Sequence, residues 1–138
     1  MRVVLFFMYT MLICCSNSKF DLNSKVHNSY RLETLQDTMQ LIGEIHSIES
    51  CFDGDIHIRM KISELHLLHK RNFTKQDSCM VLEIVCVESA PIPACVSYKN
   101  QIQIPKVGDS IAVTGRFVFD KIHRWNELHP VYEIEFLK

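Results

Sequence analysis

The sequence predicts an all-β domain, a small five-stranded barrel with little or no helix, and three observations carry that expectation. Residues 56–62 alternate strictly, with Ile56, Ile58, Met60 and Ile62 set against His57, Arg59 and Lys61, the period of a strand buried on one face. Residues 110–119 repeat the pattern, with Ile111, Val113, Gly115, Phe117 and Phe119 opposite Ala112, Thr114, Arg116 and Val118. Between them, residues 79–87 form an almost continuous apolar run broken by Glu83, as a central strand requires. With 138 residues there is room for one such core and not comfortably for two.

The chain opens on Arg2 and an uninterrupted apolar run over residues 3–13, which ends on Cys14, Cys15 and Ser16. A run that short cannot cross a bilayer core that needs about 20 residues, so residues 1–15 read as an export leader. The ending resembles a bacterial lipoprotein leader, which implies Cys15 as the lipidated residue. Ordinary cleavage nearby, releasing a soluble protein, is the alternative. Residues 16–37 are polar and suit a tether, and the domain is expected over residues 38–138. Within the junction, Leu32, Leu35 and Met39 fall at helical spacing, so residues 31–40 either form a short helix or lead into the first strand.

The first strand is expected at 39–50, with Gly43 marking a bend or bulge where the strand curls. An Asp-Gly turn at 51–55 leads into the second strand, 55–62. Residues 63–78 are polar, and Leu65, Leu67 and Leu68 fit either a helical turn or an extension of the strand. The third strand is expected at 79–87, with Glu83 facing outward. Pro91, Pro93 and Pro105 make residues 88–107 a loop, with at most a short helix or an extra strand at 102–104. After a turn at 106–109 come the fourth strand, 110–119, and the fifth, 131–136.

Four cysteines lie beyond the leader: Cys51, Cys79, Cys86 and Cys95. An even count in an exported chain points to disulfides, with three possible pairings. Cys86 and Cys95 flank a proline-containing turn and are the expected pair. Net charge is −1, so no global field draws in nucleic acid or an anionic membrane surface. Residues 66–75 are the one locally basic stretch and read as a solvated loop. No nucleic-acid partner and no cofactor are expected.

Five short strands, a glycine in the first, long connections after the second and third, and Val107-Gly108-Asp109 leading into the fourth resemble the OB-fold. That resemblance implies that the connection between the fourth and fifth strands is a ligand-binding loop. The helix usual in that fold would have to fit within residues 90–106. The connection, residues 120–130, carries Asp120, His123, Arg124, Trp125, Asn126, Glu127 and His129. A narrower resemblance joins it to the turn at 53–58. Asp53-Gly54-Asp55 with His57 looks like a DGDxH element. Asp120 with residues 123–131 looks like the D-x-x-HGW-x-E-[IL]-HPV ending of uncharacterised small exported bacterial proteins, with Arg124 where a glycine is common.

The expected ligand-binding residues are Asp120, His123, Arg124, Trp125, Glu127 and His129, together with Asp55 and His57. Histidines and carboxylates near a turn brace its backbone, hold a metal, or meet a ligand, and Trp125 either stacks on a sugar or base or caps the barrel's open end as core. The function expected is that of an exported envelope binding module, reaching the membrane only through its lipid anchor. Its partner would be an envelope protein or a small ligand. The alternative is a metal-assisted hydrolase, for example of phosphodiesters, with Glu127 as general base and histidines as ligands. The absence of GxSxG, P-loop and HExxH patterns favours the first reading.

Overall fold

The computed structural model describes residues 21–138; the expected leader with Cys14 and Cys15, and residues 16–20 of the expected tether, lie outside the described residues. Five strands form: β1 (Leu32–Ser50), β2 (Ile56–Ile62), β3 (Met80–Ile84), β4 (Ser110–Asp120) and β5 (Trp125–Phe136). They pair in a closed ring in the order β1-β2-β3-β5-β4 and back to β1. All pairs are antiparallel except β3 with β5, which run parallel and are joined through the long loop and β4. The all-β barrel expected from the alternation is what forms.

The inward sets are those of the period-two pattern. Ile56, Ile58, Met60 and Ile62 from β2 meet Met80, Leu82 and Ile84 from β3, Ile111, Val113 and Phe117 from β4, and Leu128 and Val131 from β5. Each full burial contributes about 1.5–3 kcal/mol relative to exposure. Phe119 departs from the expected inner row. It is half-buried and sets its ring 5.1 Å from His69 instead. Arg116 on the opposite face is half-buried rather than free, with Nε shut away from water.

β1 begins at Leu32, so residues 32–37 are strand rather than tether, and the helical spacing of Leu32, Leu35 and Met39 does not produce a helix. The reason is that this stretch pairs with β4 through two bulges, which break the two-residue period. Gly43 sits where β1 is paired on both edges, to Ile62 of β2 and Ile111 of β4. A Cβ there would run into the Lys61 carbonyl oxygen. The bulge toward β2 falls just beyond, between Ile45 and Ser47.

The short helix α1 (Lys70–Lys75) lies between β2 and β3, not between β3 and β4. A turn of 3-10 helix at Leu65–Leu67 precedes it. Residues 88–107 form no strand; Ile102 and Ile104 pack against the core from extended chain. Cys86 and Cys95 are disulfide-bonded, with Cα atoms 5.3 Å apart, in a satellite cluster with Val26 and Val85. Among the described residues no helix is long and apolar enough to cross a membrane. A buried disulfide fits an oxidising, exported environment.

β5 also begins earlier than expected. Asp120 pairs with Trp125, so the eleven-residue loop expected at 120–130 is a four-residue turn, 121–124, followed by strand. Residues 125–130 read as a loop in sequence because both faces of the strand carry polar groups, and burial of the outer face depends on remote segments.

Candidate functional site on the outer face of strands 2, 3 and 5

Strand pairing brings a row of polar side chains together outside the barrel. His57 of β2 is opposite Glu83 of β3, and the parallel register that sets Val81 against Glu127 carries His129 to the level of Glu83. His57 Nδ1 lies 2.9 Å from Glu83 Oε1, and its Nε2 lies 3.2 Å from Gln76 Oε1. Both ring nitrogens thus face oxygen acceptors, an arrangement that suits the imidazolium. Burial works against the charged ring, but the Glu83 hydrogen bond and charge, with Gln76 and Glu127, outweigh it and raise its pKa. Arg59 Nε donates to the same Gln76 oxygen at 2.7 Å and its guanidinium reaches Glu49 at 2.9 Å.

The second pair lies deeper. His129 Nδ1 donates to Glu127 Oε1 at 2.9 Å, and Trp125 Nε1 donates to Glu127 Oε2 at 2.6 Å. Glu127 and His129 are each 1% exposed. Burial opposes the charged form of His129, yet Glu127, Glu83 and Asp55 together raise its pKa. Its Nε2 is buried and finds no hydrogen-bond partner among the described residues. Asp55 closes this end of the row. Its Oδ1 accepts the Cys86 N–H at 2.7 Å, and burial pushes its pKa up to about 7.

The β4–β5 turn is organised separately, around Asp120. This buried carboxylate accepts the backbone N–H groups of Ile122 and His123 at 2.8 and 2.9 Å. It also holds His123 Nδ1 at 2.8 Å and Arg31 Nε at 3.2 Å. Burial would raise its pKa, but the His123 bonds and the Arg31 charge prevail and lower it. The turn closes with the Arg124 N–H on the Asp120 carbonyl at 2.7 Å, and Arg124 takes a left-handed backbone, φ 65°. That is a conformation in which glycine is unstrained and arginine is not.

One contact joins the two networks. The rings of His123 and Trp125 stack, 4.5 Å between centroids and 8° between planes, and Trp125 meets His57 edge-on at 6.2 Å. Both members of the stack are half-exposed.

No known protein family, curated protein or solved structure matches this chain. The chemistry of the site is therefore read from its own atoms.

Of the residues expected to form a site, Asp55, His57, Trp125, Glu127 and His129 share one network, and Asp120 with His123 forms another. Arg124 points away from both, on the exposed side of the turn. Sequence reading missed Glu83 and Gln76 as members: Glu83 was expected to face outward, and it does, but under cover. Its interruption of an apolar run was the available signal; Gln76 offered none.

Among the described residues, Asp55, Cys86 and Cys95 are the one group of three metal-type side chains with ligand atoms within 4.8 Å, and its sulfurs are joined to each other. His123 Nδ1 is paired with Asp120 while His129 Nδ1 is paired with Glu127, so the three side chains belong to separate pairs and do not converge. The free thiols are not poised as nucleophiles either: burial pushes Cys51 up to about 12, with Glu83 adding to the rise, and burial raises Cys79 as well.

Proposed function

We propose that this chain is an exported binding domain whose recognition surface is the His123–Trp125 stack and the rim of the His57–Glu83 network behind it. The observation that carries the reading is the support of that stack. Trp125 is held through Nε1 by a buried carboxylate, and His123 through Nδ1 by another. A half-exposed aromatic plate braced in this way loses little freedom on binding, which favours a preorganised platform over a structural cap. It suits a ligand with a flat apolar face, a sugar ring or an aromatic ring, with polar groups to meet Arg59. This face and the turn beside it correspond to the surface by which OB-folds bind oligomers.

Catalysis is not part of the proposal. Among the described residues His129 Nε2 has no partner, and it is shut away from solvent. Export is supported by the disulfide and by the apolar run at residues 3–13, and attachment at Cys15 would place the domain at a membrane surface through its lipid alone. Trp125 is the chain's single tryptophan, so its fluorescence reports this surface directly. Titration with envelope saccharides and with small aromatic compounds should give a saturable change that His123→Ala weakens. A flat signal across both panels would refute the reading, as would saturation unaffected by the substitution.

A further inference from the structure

We infer that the pocket between α1 and the β4–β5 turn is a binding site for a tetrahedral oxyanion, a phosphate or sulfate group. The pocket measures about 360 Å³ and is lined by His69, Lys70, Arg71, Thr74, Lys75 and Arg124. Its lining holds four formal cations and a hydroxyl, and no carboxylate. Among the described residues, the charged heads of Lys70, Arg71, Lys75 and Arg124 make no ion pair and no hydrogen bond. In a chain of net charge −1, four like charges gathered without a counter-charge repel one another, and an anion relieves that repulsion.

The walls are rigidly joined. Buried Asn72 donates through Nδ2 to the Cys79 and Asn126 carbonyls, each at 2.9 Å, and accepts the Asn126 N–H at 2.9 Å. Asn126 in turn donates to the Leu67 carbonyl at 2.8 Å. α1 is thereby tied to the first residues of β5, so Arg124 faces the helix across a fixed gap. His69 Nδ1 accepts the Arg71 N–H at 3.4 Å, which leaves Nε2 as the proton-bearing donor of that ring.

Arg124 holds a left-handed backbone that costs a non-glycine residue about 1–2 kcal/mol, and it is the one residue of the 121–124 turn that lines the pocket. Nucleic acid is disfavoured as the source of the anion, because duplex binding draws on about 6–10 phosphate contacts spread over a broad surface. A volume near the lower end of ordinary ligand pockets, roughly 300–1,000 Å³, suits one charged group on a small body.

The test uses the mature domain with inorganic phosphate and sulfate as probes, read by amide chemical shifts and calorimetry. Saturable binding is expected, with shifts confined to residues 69–75 and 121–124 and affinity falling as sodium chloride is raised. Arg71→Gln and Arg124→Gln should each weaken it about tenfold, the loss of one charge-assisted hydrogen bond. Lys106→Gln, which removes an exposed cation that does not line the pocket, should leave it within about twofold; this separates the site from a general effect of net charge.

Vesicles of phosphatidylglycerol, with phosphatidylcholine as the comparison, distinguish the source. Vesicle binding that both arginine variants reduce makes a lipid headgroup the source, and soluble phosphate binding without vesicle binding makes it a small ligand. No saturation by about 10 mM of either ion overturns the inference. So does binding to ions or vesicles that both arginine variants leave unchanged.

Discussion

Replacing Asp55 by asparagine isolates one buried carboxylate in the network. Asp55 is 3% exposed, and the oxygen that accepts the Cys86 N–H survives in the amide. Burial pushes its pKa from 3.8 to about 7; the Cys86 N–H and His129 work against the rise, while Asp53 and Glu83 add to it. A group whose folded pKa lies above its unfolded value stabilises the fold below the unfolded value. It loses that contribution as pH climbs through the folded value. For Asp55 the loss runs from about pH 4 to about pH 7 and amounts to about 4 kcal/mol.

The amide cannot ionise, so this loss disappears from the variant. Its NH2 group, standing where the second oxygen was, costs about 1–3 kcal/mol if it finds no acceptor. Asp55→Asn should therefore be more stable than the parent by about 1–3 kcal/mol at about pH 8, and less stable at about pH 4. His57, whose raised value also makes stability fall as pH rises above its ordinary range, does not feel Asp55 and cancels in the difference; His129, which Asp55 helps to raise, keeps its larger partner Glu127 in both proteins. Urea melts across the range, followed by Trp125 fluorescence and far-ultraviolet circular dichroism, supply the two profiles. Parallel profiles, or a variant less stable at every pH, would refute the assignment of Asp55 as the strained carboxylate.

Four further outcomes follow from the same geometry. Glu127→Ala strands a buried donor on His129 and a part-buried one on Trp125, and should cost about 3–5 kcal/mol in a denaturant melt, whereas His123→Ala should cost under about 1 kcal/mol. Arg124→Gly relieves a left-handed arginine and should raise stability by about 0.5–1 kcal/mol while weakening phosphate binding in the calorimeter. Phe117→Ala should cost about 3–5 kcal/mol and Phe119→Ala clearly less, because Phe117 lies in the core cluster and Phe119 against His69; equal midpoint shifts would contradict that placement. Removing the Cys86–Cys95 bridge by paired serine substitution should lower stability by about 2–3 kcal/mol, and peptide mapping without reductant should recover the two cysteines as one linked pair.

The all-β class, the strands β2 and β4 and the Cys86–Cys95 pair were legible in the sequence alone. Each rests on local chemistry: the two-residue period needs only one buried face, and a proline-containing turn brings nearby cysteines together. What the sequence left hidden depends on residues far apart in the chain. Residues 125–130 carry no clean alternation, because the outer face of β5 is polar and yet buried, with Glu127 and His129 each shut away from solvent and Trp125 bonded to Glu127. Residues 32–37 look unlike a strand, because bulges against β4 shift their period. The basic stretch at 66–75 reads as a solvated loop, and its cations are indeed exposed; what the sequence does not show is that residues 70–75 form a helix whose Asn72 is bonded to Asn126, which sets it beside Arg124. Periodicity records which side of a strand meets the core; only the closed barrel decides what covers the other side.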